Sequence, residues 1–346
     1  KDGKVLFPQK DNAKWNLALK AVQEFINYAN SGNYELYKEY TNGNLDPYKS
    51  IYGVHMSYNK EVIFARSDDN TSAVTRTLDR INVPRGARGG ATYTGSVAVT
   101  QELVDAFYMR DGLSTTESNL YREDGYSVIG DDLTGQTDVG TFRMYTNREP
   151  RFYQTVFYNG RKWHIGNEII RFNKGGNSDN AGSVWPRTGY LLYKRMSKKV
   201  YAEGSYPRSE YRPPIVHRLA EFYLLYAETL NEVDPSDPRI IEYVDKIRER
   251  AGIPLLSVIK PGLRGNQQLQ REAIRQEMRV ELATEGQRYF DLKRWMVARD
   301  ILNKPFYGMD MNATTLDGFF KRVLVHNRNF EDRNCLAPTP LNEIQK

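Results

Sequence analysis

Between residues 215 and 302 the apolar side chains recur at helical spacing, and that periodicity constrains the fold more than any other feature. Leu219, Phe222, Tyr223, Tyr226, Ala227 and Leu230 form one apolar face, which a helix must bury against another element. The turn Asp234-Pro235-Ser236-Asp237-Pro238 follows, with Asp237 as the expected cap and Pro238 at the first helical position. Ile240, Val244, Ile247 and Ala251 then repeat at intervals of four, three and four, and Gly252 and Pro254 stop the second helix. Two helices joined by so short a turn make an antiparallel hairpin of tetratricopeptide type, although the tetratricopeptide consensus itself is absent. A second pair is expected at about 266–284 and 286–302. The fold class is therefore mainly α.

The remainder of the chain divides around this block. An N-terminal helix, capped by Asp11 or Asn12, carries Trp15, Leu19, Val22, Ile26 and Ala29, and Gly32 stops it. From 45 to 214 turn residues recur at Asn42-Gly43, 85–90, 130–140 and 175–182, between apolar bursts at 62–64, 153–158 and 169–172. One short helix, 101–108, fits after Thr100. Loops of this length inside a compact domain usually carry recognition. The expected organisation is one domain over 1–346: 1–44 helical, 45–214 a loop-rich ligand region with short strands, 215–302 helix pairs, and 303–346 a loop-like tail.

Several classes of chemistry are excluded by what is missing. The 346 residues contain no phosphate-binding Gly-Lys-Ser/Thr loop and no Gly-x-Ser-x-Gly elbow. The four histidines, His55, His164, His217 and His326, stand apart, with no second His or Cys at ligand spacing. The net charge of +6 comes from interspersed residues and does not call for nucleic acid. No run of about 18 apolar residues occurs. Cys335, the single cysteine, cannot form an internal disulfide.

Glu277, Glu281 and Glu285 share one helical stripe, but a carboxylate di-metal site wants Glu-x-x-His partners and no His is near. We read this segment as a structural ion network in which Arg275, Arg279 and Arg288 pair with Glu281, Glu285 and Asp291. A buried pairing of that kind would make Arg288→Ala cost roughly 3–5 kcal/mol. The loop pairs Asp68-Asp69 and Asp131-Asp132 are turn formers in the plain reading. The alternative is a glycoside hydrolase using loop carboxylates. Asp131 to Gln136 lacks the EF-hand pattern, so no metal or cofactor is assigned and a structural calcium ion stays open.

The chain has 24 Tyr, 14 Phe and 4 Trp, more tyrosine than a core needs, since each buried hydroxyl wants a partner. Many of these rings are therefore expected at surfaces or in grooves. Those in the loop-rich region, Tyr52, Tyr93, Tyr121, Tyr126, Trp163 and Trp185, are the candidate ligand-binding residues. Flat rings with few rotatable bonds suit the C–H faces of sugars, or peptides.

Six segments, in order along the chain, resemble the SusD/RagB family. They are 102–112 (Leu103-Val104-Asp105 to Asp111-Gly112), Arg148-Glu149-Pro150-Arg151-Phe152-Tyr153, 218–232, 247–254, 274–295 and the closing Pro338-Thr339-Pro340-Leu341-Asn342-Glu343-Ile344. Glu149 stands where the family usually has Asp. The resemblance implies tetratricopeptide-like helix pairs supporting a loop-rich recognition region. It also implies a non-enzymatic surface lipoprotein of Bacteroidetes-type bacteria, anchored by lipid to the outer membrane. Such a protein captures oligosaccharides, or in some members peptides, for a TonB-dependent, SusC-like transporter. A family chain begins with a lipid-bearing cysteine and further helices, so an N-terminally truncated chain is expected. A plain helical-repeat scaffold without a small ligand is the remaining alternative.

Overall fold

The structure is a computed structural model and describes residues 11, 13–66, 74–87, 95–182, 184–199 and 210–335. Tyr93, Asp68-Asp69 and the closing segment 338–344 lie outside the described residues. The first half contains α1 (Ala13–Tyr28), β1 (Tyr40–Thr41), β2 (Asn44–Leu45), α2 (Pro47–Gly53), β3 (Val62–Ala65), α3 (Val74–Asn82), α4 (Gln101–Ala106), α5 (Pro150–Thr155) and β4 (Val156–Tyr158). The second half contains β5 (Tyr190–Leu192), β6 (Ile215–Arg218), α6 (Leu219–Val233), α7 (Arg239–Ala251), α8 (Leu256–Ile259), α9 (Gln267–Glu281), α10 (Gln287–Arg294) and α11 (Ala298–Leu302). β7 (Phe306–Met309), α12 (Leu316–Phe319) and β8 (Arg322–His326) close it. The strands pair two by two, β1–β2, β3–β6, β4–β5 and β7–β8, all antiparallel.

The periodic helices form as their spacing requires. Leu219, Tyr223, Tyr226, Ala227 and Leu230 are buried, and α6 packs on α1, α7 and α9. Ile26, Ile240, Val244, Ile247, Ile274 and Met278 complete that core. Asp11 accepts the Ala13 N–H at 2.9 Å, Asn266 accepts the Leu269 N–H at 3.1 Å, and Gly252 ends α7 in the left-handed region. Three boundaries move. The first four residues of the 215–302 block are strand β6, not helix. The last helix breaks into α10 and α11 around Met296, whose φ is +59°. The tail expected to be loop-like contains the β7–β8 hairpin.

A second core belongs to the loop-rich region: Phe107, Tyr145, Phe152, Tyr158, Trp163 and Tyr190, joined by Met309, Phe319 and Phe320 of the tail. Six tyrosines, Tyr108, Tyr145, Tyr153, Tyr158, Tyr190 and Tyr193, are buried in it, while others such as Tyr28, Tyr40, Tyr58, Tyr289 and Tyr307 lie at the surface as expected. The buried hydroxyls find partners: Tyr145 donates to Tyr190 at 3.2 Å, Tyr190 to Gln101 Oε1 at 2.7 Å, and Tyr153 to the Tyr145 carbonyl at 2.8 Å.

Buried charge couples the two cores. Arg151, Lys194, Arg218, Arg248 and Arg250 face Glu61, Glu149, Glu277, Glu281 and Glu285, five cations against five carboxylates. Arg218 alone reaches Glu61, Glu281 and Glu285, each at 2.7 Å. Burial opposes the Glu281 charge, but Arg250, Arg218, Arg151 and Lys194 outweigh it and hold the carboxyl well below the usual carboxylate range. Glu285 is lowered the same way, burial being overcome by Arg218 and Lys194. The expected membership is thus corrected. Glu281 and Glu285 belong to the network, but their cations come from β6, α5, α7 and Lys194. Arg275 lies against the Trp295 ring at 4.5 Å, Arg279 donates to the Glu102 carbonyl, and Asp291 pairs with Arg294 at 2.9 Å. Arg288 makes no ion pair among the described residues; it lies 5.8 Å from the Trp295 ring centroid. The expected stripe is also shortened: Glu277 and Glu281 lie on α9, which ends at Glu281, and Glu285 lies in the turn beyond it, yet all three acids face cations from distant elements, a choice that sequence spacing cannot express.

Candidate functional site

Around residues 101–153 the scaffold is fixed by three short-range devices. Arg148 is buried, and its guanidinium donates to the carbonyls of Val104 at 2.5 Å and Phe107 at 2.9 Å, closing the end of α4. Glu149 accepts the Tyr108 N–H at 2.9 Å and receives Arg151 Nε at 2.6 Å. Arg248 reaches across to the Gly112 carbonyl at 2.8 Å. The segment 148–153 therefore ties α4 and α5 to the charged frame.

Two candidate rings converge on this platform. Tyr121 and Tyr126 are both half-buried, and each is held against the tail. The Tyr121 hydroxyl donates to Glu123, and Arg322 Nη2 donates to the Tyr121 oxygen at 3.1 Å. Arg322 forks onto Asp105, Nη1 at 2.5 Å and Nη2 at 3.0 Å, and also pairs with Glu123. Tyr126 donates to Asp317 Oδ1 at 2.5 Å and sits edge-on to Phe142 at 5.9 Å and Phe320 at 6.0 Å. Burial, then the neighbouring carboxylate, pushes both hydroxyls up, so each stays a neutral donor. With their hydroxyls anchored, the rings are held in place and lose little freedom on meeting a ligand. Arg322 and Asp317 come from the tail. As isolated charges in a non-periodic segment, they gave no signal in the sequence.

The other candidates separate. Tyr52 lies on α2, where its hydroxyl accepts the Lys198 N–H at 3.0 Å and Lys198 Nζ stands 4.6 Å from its ring. Trp185 is half-buried against the loop-region core. Trp163 is 1% exposed and packs against Phe157 and Tyr193, so its ring is core rather than platform. Its flanking glycines and polar residues concealed that burial.

The acid pair at 131–132 builds its own loop. Asp131 accepts the Val128 N–H and pairs with Arg143 at 3.0 Å. Asp132 accepts from the backbone N–H groups of Thr134, Gln136, Thr137 and Asn147. Backbone and Arg143 contacts lower Asp131. At Asp132 burial is outweighed by the same kind of donors, so neither acid is held protonated for acid catalysis. Two of the histidines are held neutral by burial. Burial lowers His55 far below its ordinary value and His164 to about 4, the latter bonded to Tyr193 at 2.8 Å. Among the described residues no cluster of three or more His, Cys, Asp or Glu could hold a metal ion, and no helix is long and apolar enough to cross a membrane.

This arrangement of helix pairs and loop-rich platform is matched by known proteins. The chain belongs to the SusD family, whose model matches residues 60–346. It is 34% identical over 131 residues to SusD-like protein P25 of Formosa agariphila, covering 38% of this chain and 22% of that protein. The solved structure of selenomethionine BT4246 superposes with a TM-score of 0.78 at 23% identity, over 99% of this chain and 65% of that one. A SusD-like carbohydrate binding protein, BF0978 from Bacteroides fragilis, superposes with a TM-score of 0.67 at 21% identity, over 96% and 60% of the two chains. The chain thus spans less than two thirds of the length of each relative. The SusD-like fold expected from the six segments is the one observed.

Proposed function

We propose that this chain is the larger part of a non-catalytic surface protein that captures oligosaccharides and passes them to a partner TonB-dependent outer-membrane transporter. On this reading the whole protein is a lipid-anchored outer-membrane protein facing the outside of the cell. The family match over residues 60–346 carries the reading, and the solved relative described as carbohydrate binding supports it. Tyr121 and Tyr126 supply ring faces at a surface whose carboxylates, Asp105, Glu123 and Asp317, can accept from sugar hydroxyls. The occupied state of Asp131 and Asp132 weighs against the hydrolase alternative. Calorimetric titration of the chain with neutral oligosaccharides and with peptide pools tests the proposal. Sugar binding that weakens at least tenfold in Tyr121→Ala is expected. Binding of peptides alone would move the protein to the peptide-capturing reading.

A further inference from the structure

Behind the Tyr121 platform a cleft of about 640 Å³ runs between α4, the C-terminal end of α9, α10 and the β7–β8 hairpin. Five cations line it against the two carboxylates of Glu102 and Asp105. Arg322 is spent on Asp105 and Glu123, and Arg328 on the carbonyls of Lys304 and Ile301. Arg279 gives one donor to the Glu102 carbonyl, and Arg288 has no hydrogen-bond or ion-pair partner among the described residues. Burial and then Arg279 lower the Arg288 guanidinium to about 10, so both remain cations at neutral pH in each other's field. Glu102 and Asp105 act on Arg279, and Asp291, itself paired with Arg294, acts on Arg288, but five cations against two lining carboxylates still leave an excess of positive charge in a partly buried cleft that an anion would relieve.

The rest of the lining suits a sugar more than a bare ion. The buried Thr284 hydroxyl and Glu102 Oε2 have no hydrogen-bond partner, offering a donor and an acceptor for hydroxyls. Leu103, Leu292 and Ile301 give an apolar wall. Thr284 also holds φ +65°, a conformation that costs a β-branched residue and collects at functional sites.

We infer that this cleft receives the anionic group, carboxylate or sulfate, of an acidic oligosaccharide, with Arg288 and Arg279 as its binding cations. The inference rests on the capture reading and specifies its ligand class. The test is calorimetry at low salt on the chain and on Arg288→Gln and Arg279→Gln. The probes are an oligogalacturonate, a sulfated galactose oligomer, a neutral oligomer of the same length, and inorganic sulfate. Arg288→Gln, which breaks no ion pair, should melt with the parent. At least one acidic oligomer should bind tenfold or more tighter than the neutral one, and Arg288→Gln should lose about that factor. The arm that binds names the anion. Neutral sugar bound as well as both acidic ones, or acidic binding untouched by both variants, overturns the inference and leaves capture standing. Inorganic sulfate bound through Arg288 with no sugar bound keeps the anion site and overturns capture. No binding of either acidic oligomer or of sulfate overturns the inference.

Discussion

Replacing Arg218 by alanine should be among the costliest single changes in this chain. The guanidinium is 2% exposed and contacts Glu61, Glu281 and Glu285, with a further donor to the Glu281 carbonyl. Its removal leaves three buried carboxylates sharing Arg250, Arg151 and Lys194. Breaking a buried charge network from one side costs about 3–5 kcal/mol, because the abandoned charges stay desolvated. An unfolding entropy of about 2.1 cal/mol/K per residue gives about 0.7 kcal/mol/K for 346 residues, so Tm should fall by about 4–7 °C. The effect also has a pH signature. Glu281 and Glu285 have folded values below the ordinary 4.5, so the stability they supply is present above about 4.5 and is lost as pH falls toward their folded values. In the parent they stay ionised while the unfolded chain takes up protons, whereas without Arg218 the same carboxyls take up protons more readily in the folded state, so the gap in Tm between parent and variant narrows from about pH 7 to about pH 3. Differential scanning calorimetry at both values is the assay. A gap under about 1 °C at neutral pH, or one that widens in acid, would refute the reasoning.

Other outcomes follow from single contacts. Arg148→Lys keeps the charge but loses the planar guanidinium whose Nη2 serves the Val104 and Phe107 carbonyls while Nη1 serves the Met144 carbonyl, and should cost about 2–3 kcal/mol in chemical denaturation. Gly112→Ala must hold φ +76° and bring its Cβ within 2.5 Å of Arg248 Nη2, so a loss of about 1–3 kcal/mol is expected by the same measurement. Trp163→Ala should lower stability by about 3–5 kcal/mol while leaving sugar affinity, measured well below its melting point, unchanged. A selective loss of affinity in that variant would return Trp163 to the ligand site.

What could be read from the chain beforehand follows the range of the interactions concerned. The stripe Leu219 to Leu230 and the repeat Ile240 to Ala251 depend on neighbours three or four residues away, so periodicity located both helices. The acids at 277, 281 and 285 were visible as a stripe, but their partners Arg151, Arg218 and Arg248 sit on other elements. Proximity in sequence pointed instead to Arg275, Arg279 and Arg288. The tail hairpin leaves no clear pattern in the sequence because β7 and β8 are short and irregular, with a register shift between Phe306 and Tyr307. Among the candidate rings, Tyr121 and Tyr126 met on one hairpin through Arg322 and Asp317, whereas Trp163 went inside. Aromatic identity alone does not separate a platform from a core residue. Environment does, and for Tyr121 and Tyr126 it is set by Arg322 and Asp317, 201 and 191 positions along the chain.

Native mass spectrometry of the purified chain, incubated with a mixture of oligosaccharides of known mass, puts capture without chemistry to its most direct trial. Adducts should appear at the unaltered masses of the sugars supplied and disappear from Tyr121→Ala. Adducts at the masses of shortened sugars, or none from any sugar, would contradict it.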